Sequence, residues 1–218
     1  MIRKLDSRVL AHLELLVAAL IIVLDLFLPT LLVLALLAAS LIIRKQGLST
    51  VGFFRSQAMS RMALMVLLLV VIWTLFQLGI TMPVLNRLMG TRQDLSAYVD
   101  LRGNLPSLLL YLALTWSLAA FGEEIVYRGY LQRRVFDVLG TGRLGTVVAI
   151  GMTSLLFGLA HSEQGGVGIV VTILDAIFFS LLKLYYKGNL WAAILAHGFS
   201  NTLGLVAFYF VGPIYSFW

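Results

Sequence analysis

The segment from Leu105 to Gly129 reads LPSLLLYLALTWSLAAFGEEIVYRG, and its reading decides the fold class. Eighteen uncharged residues, 105–122, run into two adjacent carboxylates, Glu123 and Glu124. Asn104 and Pro106 supply helix-start signals, and the apolar pattern continues towards Phe136. That stretch exceeds the roughly 20 apolar residues needed to cross a bilayer as a helix.

The rest of the chain has the same character. Of its 218 residues 61% are apolar and 12% charged, with a mean hydropathy of +0.98. A water-soluble domain carries roughly 25% charged residues. Val9–Leu28, a break at Pro29, and Thr30–Ile43 predict a tight helical hairpin. Met62–Ile80, Leu144–Ala160, Val167–Leu184 and Leu190–Val211 read as further spans. Between them lie a basic interfacial segment, Arg44–Arg61, and a polar one, Thr81–Asn104. The prediction is an all-α, polytopic membrane helix bundle of about seven transmembrane helices. It forms a single membrane domain over 1–218, with N-terminal helices in 1–104 and a helix core in 105–211. Arg3 and Lys4 ahead of an apolar run resemble a secretory signal, but Val9–Ile43 far exceeds a signal's apolar region, so it reads as a retained anchor. The absence of cysteine excludes disulfides, thiolate ligands and a cysteine nucleophile.

The net charge of +6 does not point to nucleic acid, because the charges fall in the gaps between apolar runs. With the N-terminus inside, thirteen of the 16 Lys and Arg residues fall on inner segments, and only Arg87, Arg92 and Arg102 on outer ones. This is the inside bias of a multi-pass protein with a cytoplasmic N-terminus and an outer C-terminus.

Polar residues within the spans are the exceptions. A carboxylate at a helix centre costs about 2.5–3.5 kcal/mol on insertion scales and faces a bundle interior or a wet cavity. Glu124 and Arg128, four apart, share a helix face and can pair. Glu123 points about 100° away from Glu124, free to look into a cavity; a helix end with a surface ion pair fits the same segment. In Phe157-Gly-Leu-Ala-His161, a histidine ends an apolar helix, and Gly151, Ser154, Gly158 and His161 form a small and polar stripe that allows close helix approach. Phe157 reads as packing. In His197-Gly-Phe-Ser-Asn201 two donors sit on one face, with Ala193, Ser200 and Gly204 beside them; interhelical hydrogen bonding is the alternative. Together, Glu, two His and Asn suffice for amide hydrolysis: a base for water, a partner to orient it, and two donors for an oxyanion. No serine has a base beside it in sequence.

EExxxR, FxxxH and HxxxN, in that order on separate apolar helices, resemble the type II CAAX prenyl endopeptidase and bacteriocin-processing family, the intramembrane glutamate proteases. The resemblance covers about Leu105–Val211. It implies that Glu123 and His161 activate a water, that His197 and Asn201 hold the oxyanion, and that Glu124 with Arg128 holds the site. It also implies a metal-free centre, although Glu with two His is a plausible zinc set. The expected partners are membrane lipid and a peptide or protein substrate, possibly prenylated, in a prokaryotic cell membrane. A non-enzymatic immunity or binding protein could use the same polar pocket. A transporter is disfavoured by the lack of paired inverted halves.

Depth poses a difficulty. At about 1.5 Å per residue, Glu123 lies about 15 Å from Arg133 and His197 about 12 Å from Asn189, but His161 about 25 Å from Leu144. The three converge only if the start of that helix projects below the bilayer or the helix tilts. Asp175, inside an apolar run, reads as the structural partner of a threonine or an inner basic group, or as cavity lining. His12 and Glu14 read as interfacial, and Asp25 as an outer turn.

Overall fold

The computed structural model describes residues 7–54 and 58–212. Among them the chain is helical throughout, with no strand. Helices α1 (Ser7–Val23) and α2 (Pro29–Arg44) form the expected hairpin. Its turn carries Asp25 and Phe27 at φ 47° and 49°. Pro29 starts α2, where its fixed φ suits the helix and its missing N–H costs no bond.

Helix α3 (Met59–Met89) runs nine residues past the expected end at Ile80. It widens to a π-helix at Gln77–Thr81. Pro83 accounts for this, because it cannot donate to the carbonyl one turn back, and a π turn re-registers the ladder ahead of it. Helix α4 (Leu105–Leu139) starts at Asn104, whose side chain accepts from the Ser107 N–H at 3.2 Å. Helices α5 (Arg143–Leu159), α6 (Gly165–Tyr185) and α7 (Leu190–Val211) follow their predicted bounds within two residues.

Four of these helices, α3, α4, α6 with its leading turn, and α7, are long and apolar enough to cross a membrane, which makes this an integral membrane protein. Helices α2 and α5 are apolar but shorter. The expected count of seven is therefore not reached on length alone, because Pro29 and Gly140–Gly142 cut the chain into shorter pieces.

Interactions between connecting segments define two ends of the bundle. At one, the Leu190 N–H donates to Gly52 O at 2.8 Å, Asn189 Nδ2 to Phe54 O at 3.3 Å and Arg134 to Gln46 at 3.5 Å. At the other, the Asp94 N–H donates to Gln164 O and the Gly103 N–H to Tyr209 O, both at 2.9 Å. The Ser96 side chain, and then the Ser96 N–H at 2.9 Å, hydrogen-bond the exposed Asp94 carboxylate and hold it below its usual pKa.

Glu14, expected near the inner edge, is only 5% exposed, because Ser40, Arg44 and Arg134 surround it. Ser40 Oγ donates to it at 2.8 Å, and Arg44 and Arg134 approach its Oε2 to 3.3 and 3.4 Å. Arg134 is fully buried and also meets Asp137 at 3.0 Å. This network ties the N-terminal hairpin to α4.

Candidate active site

Helix α4 is π-helical over Thr115–Glu123 and Ile125–Leu131. The i→i+5 bonding widens the helix and recurs at functional sites. The two adjacent glutamates part company here. Glu124 is fully buried and accepts from Arg128 at 2.9 Å, as the four-residue spacing suggested. The same oxygen, Oε1, lies 2.9 Å from His197 Nδ1 on α7, a partnership with no sequence signal. Glu123 is half-buried, takes part in no ion pair among the described residues, and keeps a buried Oε2 without a hydrogen-bond partner. Such an orphaned carboxylate oxygen calls for a functional explanation.

Arg128 is caged by aromatic rings. Its guanidinium sits 4.5 Å from the Phe157 centroid and 5.6 Å from that of Phe179. Phe179 also stacks on His197 at 5.3 Å, and Phe157 meets His197 edge-on at 5.8 Å and His161 at 4.6 Å. Phe157 is thus packing, as expected, but packing that orients both histidines. Phe179 was not singled out, since one phenylalanine in an apolar helix carries no signal.

Below this layer, Lys183 Nζ donates to the Arg128 carbonyl, and Gln132 donates to Ser180 at 2.9 Å and Thr153 at 3.3 Å. All of these side chains are buried.

His161 lies just past the end of α5, and its Nδ1 is 2.8 Å from Phe157 O. A carbonyl only accepts, so Nδ1 carries the proton and the Nε2 of a neutral ring is left as an acceptor. Asn201 sits one turn beyond His197 on α7, half-buried.

Glu123, His161, His197 and Asn201 all line one cavity of about 420 Å3, together with Phe157, Phe179 and Asp175. The depth mismatch estimated from sequence does not keep His161 away; Leu144 and Val147, at the start of α5, are 71% and 62% exposed. Asp175 lines the cavity too, but its structural partners are neither a threonine nor an inner basic group. Trp73 Nε1 and Gln77 Nε2 of α3 donate to its Oδ1 at 2.6 and 2.7 Å. Gln77 opens the π turn ahead of Pro83, so this widening also serves the cavity wall. Among the described residues, no three His, Asp or Glu side chains are grouped as a metal site.

Two glycines let the walls close. A Cβ on Gly198 would fall 2.5 Å from the Trp116 ring, which also bonds Thr202 at 3.2 Å. A Cβ on Gly158 would fall 2.4 Å from Ile173 and 2.8 Å from the Ile169 carbonyl oxygen. Backbone cannot give way as a side-chain end can, so Gly158→Ala must separate α5 from α6. The expected destabilisation is about 1–3 kcal/mol, read as a lowered unfolding midpoint in detergent. The small-residue stripe is real at this point, whereas Gly151 has nothing near it.

An uncharacterized protein of Mycoplasma capricolum subsp. capricolum is 35% identical over 100 residues, 45% of this chain and 27% of that relative. The chain therefore spans about a quarter of that relative's length. No solved structure matches. Residues 105–203, which contain all four of the cavity residues named from sequence, match the Rce1-like family of type II CAAX prenyl endopeptidases.

Proposed function

We propose that the protein is an intramembrane endopeptidase that hydrolyses a peptide bond of a membrane-associated peptide, with or without a prenyl group, using a Glu/His-activated water. The observation that carries this reading is the meeting of Glu123, His161, His197 and Asn201, from three helices, on one cavity. It is supported by the family match of that same segment.

In this reading Glu123 takes a proton from a water whose second hydrogen is held by His161 Nε2. The hydroxide attacks the scissile carbonyl carbon, and the oxyanion that forms is held by Asn201 Nδ2 and His197 Nε2. Glu123 then returns the proton to the departing amine, leaving a free acid and a free amine. The two histidines differ through their Nδ1 partners. His161 Nδ1 donates to the Phe157 carbonyl, which leaves the Nε2 of a neutral ring as an acceptor. His197 faces the Glu124 carboxylate, which compensates an imidazolium, and only an imidazolium donates from both nitrogens. Glu124 and Arg128 are positioning residues: Glu124 touches His197 and Arg128 touches Glu124, and neither lines the cavity.

The membrane is proposed to be a prokaryotic cell membrane, crossed by seven helices with the N-terminus inside. The centre is read as metal-free. Loss of activity with a chelator, restored by Zn2+, would reverse that choice.

The test is cleavage of a quenched-fluorescence peptide library, with and without a C-terminal prenyl group, by the purified chain. Asn201→Ala is expected to lower turnover by about 10²–10³, the usual loss for one oxyanion donor. An unchanged rate in that variant removes Asn201 from the mechanism. No cleavage by well-folded protein favours the immunity or binding reading.

A further inference from the structure

The cavity has a sealed floor and an open end, and these lie at opposite ends of the bundle. Its floor is the buried layer of Glu124, Arg128, Lys183, Gln132, Ser180 and Thr153. Beneath that floor lies the end where Arg44, Lys45, Arg133, Arg134, Arg143 and Lys187 gather at helix termini and loops. From Glu123 and His197 the cavity runs the other way. It reaches Tyr98 of the segment between α3 and α4, Glu163 and Gln164 of the turn after α5, and Phe208 near the end of α7. That rim is held together by its own bonds, Asp94 N–H to Gln164 O at 2.9 Å and Gln93 to Gln164 at 2.7 Å. Among the described residues this end carries only Arg87, Arg92 and Arg102, with Asp94, Asp100 and Glu163 beside them.

Lysine and arginine concentrate on the cytoplasmic side of a membrane protein. We infer that the cavity opens to the extracytoplasmic face, and that its substrate is a peptide presented at the outer surface of the membrane, not a C-terminus arriving from the cytoplasm. The inference rests on the peptidase reading for the word substrate; the direction of the opening rests on the floor, the rim and the charges alone. The lining suits such a peptide. It contains three carboxylates, Glu123, Glu163 and Asp175, and no Lys or Arg. Beyond the His197 and Asn201 donors assigned to the oxyanion, no Lys or Arg is there to pair with the free carboxylate of a chain terminus, whereas three carboxylates face an internal or cationic stretch of peptide. Leu114 and Leu118, 41% and 44% exposed, also line the cavity and offer an apolar side to a peptide lying in the outer leaflet.

The cysteine-free sequence makes the test direct. Ser162→Cys places a thiol at the rim and Thr141→Cys places one in the loop at the basic end; both sites are exposed. In intact bacterial cells expressing the full chain, a membrane-impermeant maleimide is expected to label Ser162→Cys. Thr141→Cys should react only after permeabilisation. The opposite pattern overturns the inference. In parallel, a soluble fluorogenic peptide is added to sealed vesicles that contain the unaltered chain. Right-side-out vesicles are expected to cleave it and inside-out vesicles only after detergent; cleavage by sealed inside-out vesicles alone overturns the direction of substrate access. If no vesicle cleaves even in detergent, the peptidase reading fails, while the labelling still decides which way the cavity opens.

Discussion

Glu123→Gln is expected to lower peptide cleavage by at least about 10²–10⁴, the range contributed by a positioned general acid–base group, without harming the fold. The substitution keeps the shape of the side chain and removes only its charge and basicity. Glu123 takes part in no ion pair among the described residues, and its buried Oε2 has no hydrogen-bond partner. An ionised group taken from water without compensation is costly to the folded state. Neutralising it should therefore leave stability unchanged or raise it, the usual signature of a functional residue held against its own preference. The measurement pairs turnover on a fluorogenic peptide with the unfolding midpoint in the same detergent. Undiminished turnover sinks the water-activation mechanism. Lost turnover with a lowered midpoint would make Glu123 structural.

Arg128→Met is expected to do the opposite, acting first on the fold. Arg128 and Glu124 are both fully buried, 2.9 Å apart, and removing one partner of such a pair costs about 3–5 kcal/mol because a charge is left stranded. The double variant Glu124→Gln with Arg128→Met should lose less than Arg128→Met alone, since no unpaired carboxylate remains. Activity should fall in both: in the double variant His197 loses the carboxylate that orients it, and in the single variant Glu124 loses the guanidinium that fixes it. Equal destabilisation in the single and double variants would show that the aromatic cage of Phe157 and Phe179, and not the charge pair, is what Arg128 supplies.

The parts of this site that could be read in the sequence share a physical basis, which is helical spacing. The divergence of Glu123 from Glu124, the pairing of Glu124 with Arg128 and the shared face of His197 and Asn201 all follow from positions within one helix. The unread parts join residues distant in sequence. The bonds from Trp73 and Gln77 to Asp175 span 102 and 98 positions, and that between His197 and Glu124 spans 73. No periodicity carries such information. Helix bounds from Arg143 onwards could be read closely because Gly and Asn punctuate them. The extension of α3 to Met89 could not, because Thr81–Asn104 reads as a polar connection, whereas a π turn carries the helix on past Pro83. The burial of Glu14 was unread for a related reason: it depends on Ser40, Arg44 and Arg134, all distant in sequence.

The bond between Glu14 and Arg134 also bears on how such proteins can be recombined. The family match begins at residue 105, which suggests a convenient joint for splicing the matched segment onto another protein's leading helices. Arg134 lies beyond that joint and one of its two carboxylate partners, Glu14, lies before it. A chimera cut there would retain Asp137 but forfeit Glu14, unless the donor hairpin brings an acid to the same place. The structural unit is therefore wider than the matched segment, and a replacement hairpin should be tolerated only where it carries the matching charge.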